Sequence, residues 1–141
     1  MTSASFQSAA GEQGRQFAQQ CDLLLEQSGY RLGSPVHLRD LGVEIDREAT
    51  SPANHTVWFE YKGSVQGSRP GLLRTDTVKK AIANGALLGA LPEHPPYVLL
   101  TSHLPTRGGA LAMLSAAEGL GYFRDVICIY DPTQTARLRD L

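Results

Sequence analysis

The sequence predicts an α/β domain in which a mixed central sheet is flanked by helices. Three observations carry that expectation. Apolar residues recur at helical spacing within 11–28 and 75–88, and a third helix rich in alanine and leucine follows at 108–118. They alternate with polar residues at period two in 35–38 and 42–46, with a branched and aromatic run at 55–62. Two short apolar runs, at 97–103 and 126–130, each follow one of the later helices. The order is helix, three strands, helix, strand, helix, strand, which joins an antiparallel meander to strands linked by crossover helices.

The first helix is expected from Phe17, Cys21, Leu24 and Leu25, spaced three and four apart, with Gly29 as its stop. Val36 and Leu38, then Val43 and Ile45, mark two short strands, and Ala49 to Asn54, with Ser51 and Pro52, reads as a turn. His55 to Lys62 resumes as a strand. Gly63 to Gly71 is a glycine-rich loop, and Thr75 or Asp76 caps a second helix running to about Leu88. Pro92 to Pro96 breaks the chain before the buried strand at 97–103. Gly108-Gly109 opens the third helix as a tight strand-to-helix turn, and without a Gly-Lys-Ser/Thr ending it is not a P-loop.

The chain has 141 residues, 42% of them hydrophobic and 19% charged, a balance that excludes disordered and fibrous classes. At this length a chain buries about two-thirds of the surface its unfolded form exposes, so one core needs no metal or disulfide staple. A single domain is expected over 11–141 behind a flexible segment at 1–10. Cys21 and Cys128 show no metal-ligand spacing and read as buried thiols. The polar stretch Met1 to Ala10 lacks the charge pattern of a signal peptide, and no apolar run reaches membrane-spanning length. The expected location is the cytoplasm, without a membrane partner.

Net charge is only −1, but its distribution is uneven. The acids Asp40, Glu44, Asp46, Glu48 and Glu60 face a single base, Arg47, in 40–60, whereas 62–80 carries Lys62, Arg69, Arg74, Lys79 and Lys80 against Asp76. An acidic cluster followed by a basic one suits a site that holds a divalent cation and receives a polyanion. Side chains two apart on a strand share a face, about 6.5 to 7 Å from each other. Glu60 and Lys62 therefore project together with Trp58, while Val57, Phe59 and Tyr61 fill the opposite face. Glu44 and Asp46 share a face by the same rule. If the strand of Asp46 pairs with that of Glu60, Asp46 comes beside Glu60 and Lys62 at the end of the hairpin. Two carboxylates on rigid strands suit Mg²⁺, and a nearby lysine can orient a nucleophilic water or stabilise developing charge. Taken alone, the spacing fits a solvated face with cross-strand ion pairs better than it fits a site.

The succession of elements resembles the PD-(D/E)XK nuclease superfamily and its restriction-endonuclease-like αβββαβ core, from about Gly11 to Tyr130. Gly-Val-Glu-Ile-Asp at 42–46 is similar to the family's strand ending in a metal-binding aspartate, and Trp-Phe-Glu-Tyr-Lys-Gly-Ser at 58–64 to its strand bearing (D/E)-x-K. Ile45 stands where the signature has proline. The resemblance implies a metal role for Asp46 and Glu60 and a catalytic role for Lys62. Glu12 on the first helix supports the site, with Glu26 as the lesser candidate, and Glu44 is a possible alternative or second ligand. The cofactor is then Mg²⁺, for which Mn²⁺ can substitute. Arg69, Arg74 and Lys79 or Lys80, with Ser64 at the end of the strand, become contacts to DNA phosphates.

Other chemistries find less support. His37, His55, His94 and His103 show no paired ligand spacing, Ser64 and Ser102 lack a nucleophile elbow, and no glycine-rich loop follows the first strand as a nucleotide-binding domain requires. The expected activity is Mg²⁺-dependent DNA cleavage in restriction, repair or junction processing, by a homodimer or within a larger complex. The alternative is a catalytically inactive nuclease-fold module that binds DNA or serves a nuclease or helicase complex.

Overall fold

The computed structural model describes residues 3–64 and 71–141, with side chains at residue 12 and from residue 14 onward. Helix α1 spans Ser3–Gln27, starting ahead of the expected residue 11. Phe17, Cys21 and Leu25 recur every four residues on one stripe, and all three are buried. Gly29 ends the helix at φ +93°, where Tyr30 N–H reaches back to the Leu25 carbonyl at 2.9 Å.

Five short strands follow: β1 (Arg31–Leu32), β2 (Val36–Leu38), β3 (Val43–Ile45), β4 (Arg47–Thr50) and β5 (Thr56–Lys62). Helix α2 (Thr75–Leu87) leads to β6 (Tyr97–Thr101), and α3 (Gly108–Gly119) leads to β7 (Asp125–Cys128). A short α4 (Pro132–Thr135) and a 3₁₀ turn at Ala136–Asp140 complete the chain; the sequence pattern does not announce them.

The main sheet has the order β1-β4-β5-β6-β7. Its first half is antiparallel, with Arg47 opposite Phe59 and Thr50 opposite Thr56, and its second half is parallel, with Glu60 opposite Leu99 and Leu99 opposite Val126. Strands β2 and β3 form a separate two-stranded sheet. The expected mixed sheet flanked by helices is observed.

Two expectations need correction. The turn expected at Ala49 to Asn54 begins later, because Arg47–Thr50 is the strand that pairs with β5. The reversal is a tighter one, closed by Ser51 N–H to the His55 carbonyl at 2.8 Å, with Asn54 at φ +70°. The strand expected to end at Asp46 instead stops at Ile45, and the chain bends at Asp46 as it crosses from the small sheet to the large one. Valine and isoleucine at 43 and 45 are buried, which ties that segment to the core under the small sheet.

Two cores sandwich the main sheet. Phe17, Cys21 and Leu25 of α1 pack with Val57, Phe59, Val98, Leu100 and Ile127 on one face. Trp58, Leu99 and Val126 meet α2, α3 and the small sheet on the other through Val78, Ala81, Leu114 and Ile45. Each fully buried leucine, valine or phenylalanine contributes about 1.5–3 kcal/mol, so both faces must stay covered. Strand β6 is buried at all five positions, as a central strand covered on both faces must be. The period-two assignment of β5 holds, since Val57 and Phe59 lie in the α1 core and Trp58 in the α2–α3 core.

Candidate functional site

The site lies where the antiparallel and parallel halves of the sheet meet, at the carboxyl end of β5. The register that puts Arg47 opposite Phe59 brings the preceding residue, Asp46, alongside Glu60. The Asp46 Oδ2 atom accepts the backbone N–H of Tyr61 at 2.7 Å, so the bend that ends β3 aims its carboxyl at β5. A short polar side chain suits such a bend because it can hold a neighbouring main-chain donor.

Glu60 points towards α2 and is only 2% exposed. Its Oε2 accepts the Tyr97 hydroxyl at 2.6 Å and the Asn84 side-chain amide at 2.9 Å. Burial pushes the Glu60 carboxyl up to about 8, and the adjacent Asp46 carboxyl adds to the shift through a hydrogen bond and its charge. The Tyr97 hydroxyl and the Lys62 ammonium oppose it. Burial and the Glu60 charge also raise the Tyr97 hydroxyl far above its usual range, which keeps it a donor.

Lys62, two residues on and half-buried, lines a polar cleft of about 330 Å³. Arg74 and Lys80 line the same cleft, together with the Ser64 and Thr77 side chains. Ser64 N–H also donates to Ser102 Oγ at 3.2 Å, which ties the end of β5 to the residue after β6. The cleft therefore presents three cations, while Asp46 and the buried Glu60 lie outside its lining. Lys79 is exposed and does not line it, so of the two lysines left open by the sequence, Lys80 is the one at the cleft. Arg69 lies outside the described residues.

Two expected site residues stand apart from this group. Glu44 is exposed and faces His37 across the small sheet, Oε1 to Nδ1 at 3.5 Å, because the bend at Asp46 breaks the period that would have put both acids on one face. Glu12 is exposed and pairs with Arg15 at 2.7 Å, which holds its carboxyl below the usual range.

The α1 acid that reaches the sheet is Asp22, which sequence reasoning missed. Its carboxylate takes two hydrogen bonds from Arg47, at 2.8 and 3.1 Å, and one from the Tyr61 hydroxyl at 2.6 Å. Arg47 also donates to the Gly33 carbonyl at 2.6 Å. This bidentate pair clamps α1, β4 and β5 together directly behind Asp46. The available signal was Arg47, a lone base within an acidic run.

Cys21 is buried and Cys128 half-buried; both are free thiols. Gly108 sits at φ +78°, a tight turn into α3. Among the described residues no group of three or more His, Cys, Asp or Glu gathers as a metal cluster, and no helix is long and apolar enough to cross a membrane. Compared with known proteins, the chain matches no family model, no curated protein and no solved structure.

Proposed function

We propose that this chain is a Mg²⁺-dependent DNA endonuclease with the restriction-endonuclease-like αβββαβ fold, hydrolysing phosphodiesters in restriction, repair or junction processing. The observation that carries the reading is that Asp46 and Glu60 stand side by side at the end of β5 while Lys62, two residues on, lines a cleft with Arg74 and Lys80. The fold supports it through an antiparallel β4–β5 hairpin that runs into a parallel β5-β6-β7 half, with helices on both faces.

The donor set fits the ion. Mg²⁺ takes one or two carboxylates and keeps several waters, whereas a catalytic zinc site commonly takes three protein ligands. Asp46 and Glu60 would hold it, and the bound ion supplies Lewis-acid polarisation of the phosphate and a more acidic water. Lys62 stands on the same face of β5 and donates to the attacking water or to the developing phosphorane charge. Arg74 and Lys80 hold the backbone phosphates without reading sequence. Arg74 also occupies the N-cap position just before α2, where the helix dipole disfavours a cation and favours a bound anion beside it. A chain this small leaves little room for a separate recognition domain, so duplex DNA would be engaged by a homodimer or within a larger complex.

A time course of plasmid nicking and linearisation tests the reading. Cleavage is expected in Mg²⁺ and Mn²⁺, not in Ca²⁺ alone, and is expected to vanish in Asp46→Ala together with Mn²⁺ binding by calorimetry. A parent protein inactive on duplex, single-stranded and branched DNA refutes it.

Binding has its own test. Arg74→Ala and Lys80→Ala are each expected to weaken binding to all DNA sequences about equally and to lower the salt slope by about one. Lys79→Ala, outside the cleft, is expected to change both far less. Equal salt dependence in all three variants and the parent would make the cleft an ordinary solvated face.

The burial of Glu60 favours a second reading, a catalytically inactive DNA-binding or partner module of the same fold. A carboxyl held at about 8 is largely protonated at neutral pH and already satisfied by Tyr97 and Asn84. In that case Asp46 and Glu60 are a structural acid pair, and the cationic cleft binds DNA without cutting it.

A further inference from the structure

Tyr97 opens β6 and is 1% exposed, and Asn84 is half-buried on α2, one residue before the buried Gly85. They come from different elements, yet both donate to the same atom, Glu60 Oε2, at 2.6 and 2.9 Å. A carboxylate oxygen that accepts two hydrogen bonds has both lone pairs occupied. Glu60 therefore has one oxygen, Oε1, left for anything else, and the Asp46 carboxyl is a hydrogen-bonding neighbour of this side chain.

We infer that Tyr97 and Asn84 are positioning residues that fix Glu60 as a single-oxygen donor, aimed with Asp46 at a small hard cation of the Mg²⁺ class. The inference rests on the metal-dependent reading above. Glu60 would otherwise rotate about three side-chain bonds, and two donors from rigid elements remove that freedom before any ion arrives. A donor restricted to one oxygen suits the octahedral, water-rich shell of Mg²⁺ or Mn²⁺. Ca²⁺ takes six to eight oxygens and readily uses both oxygens of a carboxylate, so the same restraint works against it.

Calorimetric titration of the full chain with Mn²⁺ and with Ca²⁺ tests this, using the parent, Tyr97→Phe, Asn84→Ser and Asn84→Gln, with a melting curve for each. Mn²⁺ affinity is expected to fall about tenfold or more in Tyr97→Phe and Asn84→Ser, the size usual for groups that orient a metal ligand. Ca²⁺ affinity is expected to fall less, so the preference for Mn²⁺ narrows, and Asn84→Gln, which keeps a donor, is expected to recover part of it. A purely structural role would lower the melting temperature and leave the Mn²⁺-to-Ca²⁺ ratio unchanged, which overturns the inference. Should Tyr97→Phe fail to fold, Asn84→Ser on the half-buried position decides in the same way. A parent that binds Mn²⁺ with unchanged variants refutes the positioning role alone, whereas a parent that binds neither ion removes the metal-dependent reading and this inference with it.

Discussion

Lys62→Ala is expected to keep its fold, its metal and most of its DNA affinity, yet to cut plasmid DNA at least about a hundredfold more slowly. The main chain at this position is held independently of the side chain. Lys62 pairs with Thr101 in the parallel ladder, and its carbonyl accepts the Thr101 hydroxyl at 2.7 Å. Truncation therefore removes a half-buried ammonium from the cleft without opening the core. Binding would still draw on Arg74 and Lys80, so the loss of affinity is that of one phosphate contact among three cations. An ammonium that acts on the attacking water or the developing charge is worth most in the transition state, so its removal lowers turnover more than affinity. The assay is a nicking time course in Mg²⁺ and Mn²⁺ with parent, Lys62→Ala and Glu60→Ala prepared identically. Equal rates in parent and Lys62→Ala would end the catalytic assignment, and equal rates in all three would identify a contaminating nuclease.

How much of this site the sequence discloses depends on the range of each interaction. Period-two alternation is local, and it sorted Trp58 from Val57 and Phe59 correctly. The two crossovers through α2 and α3 were legible for the same reason, since an apolar run bounded by Pro96 and a Gly108-Gly109 turn is recognisable without partners. Asp46 was placed beside Glu60 by assuming a hairpin, and the neighbourhood is right although the strand that pairs with β5 is β4. Arg-Glu-Ala-Thr has little apolar content to announce a strand, and it becomes one because β5 on one side and β1 on the other satisfy its backbone. The polar partners could not be read at all. Asp22 and Arg47 lie 25 residues apart, and Glu60 and Tyr97 lie 37 apart, so only the tertiary fold joins them. Asn84 left a trace in retrospect, as a polar residue among the buried Val78, Ala81 and Gly85 of α2.

The metal-free protein is expected to lose stability as pH rises from about 5 to 8, and Glu60→Gln is expected to remove most of that slope. The Glu60 carboxyl stands at about 8 in the folded chain against 4.5 for a free glutamate, chiefly because burial penalises its charge. Between those values the folded state keeps a proton that the unfolded chain releases. The associated stability is therefore fully present below the unfolded value and is lost as pH climbs through the folded one. Loss on the order of a few kcal/mol follows, which for a domain of this size is roughly 5–10 °C in melting temperature. Glutamine imitates the protonated acid. Its carbonyl can accept from Tyr97 and Asn84, and its amide can donate to Asp46, so the variant starts near the low-pH stability of the parent and stays there. Glu118, also raised by burial, contributes a smaller slope of the same sign that persists in the variant. Metal reverses the trend, because a ligating Glu60 must give up its proton, and stabilisation by Mn²⁺ is expected to grow from pH 6 to pH 8 in the parent and not in Glu60→Gln. Melting curves at pH 5, 6.5 and 8, in chelator and in Mn²⁺, measure both slopes. Parallel pH profiles for parent and Glu60→Gln in chelator would show that Glu60 is ionised in the folded protein.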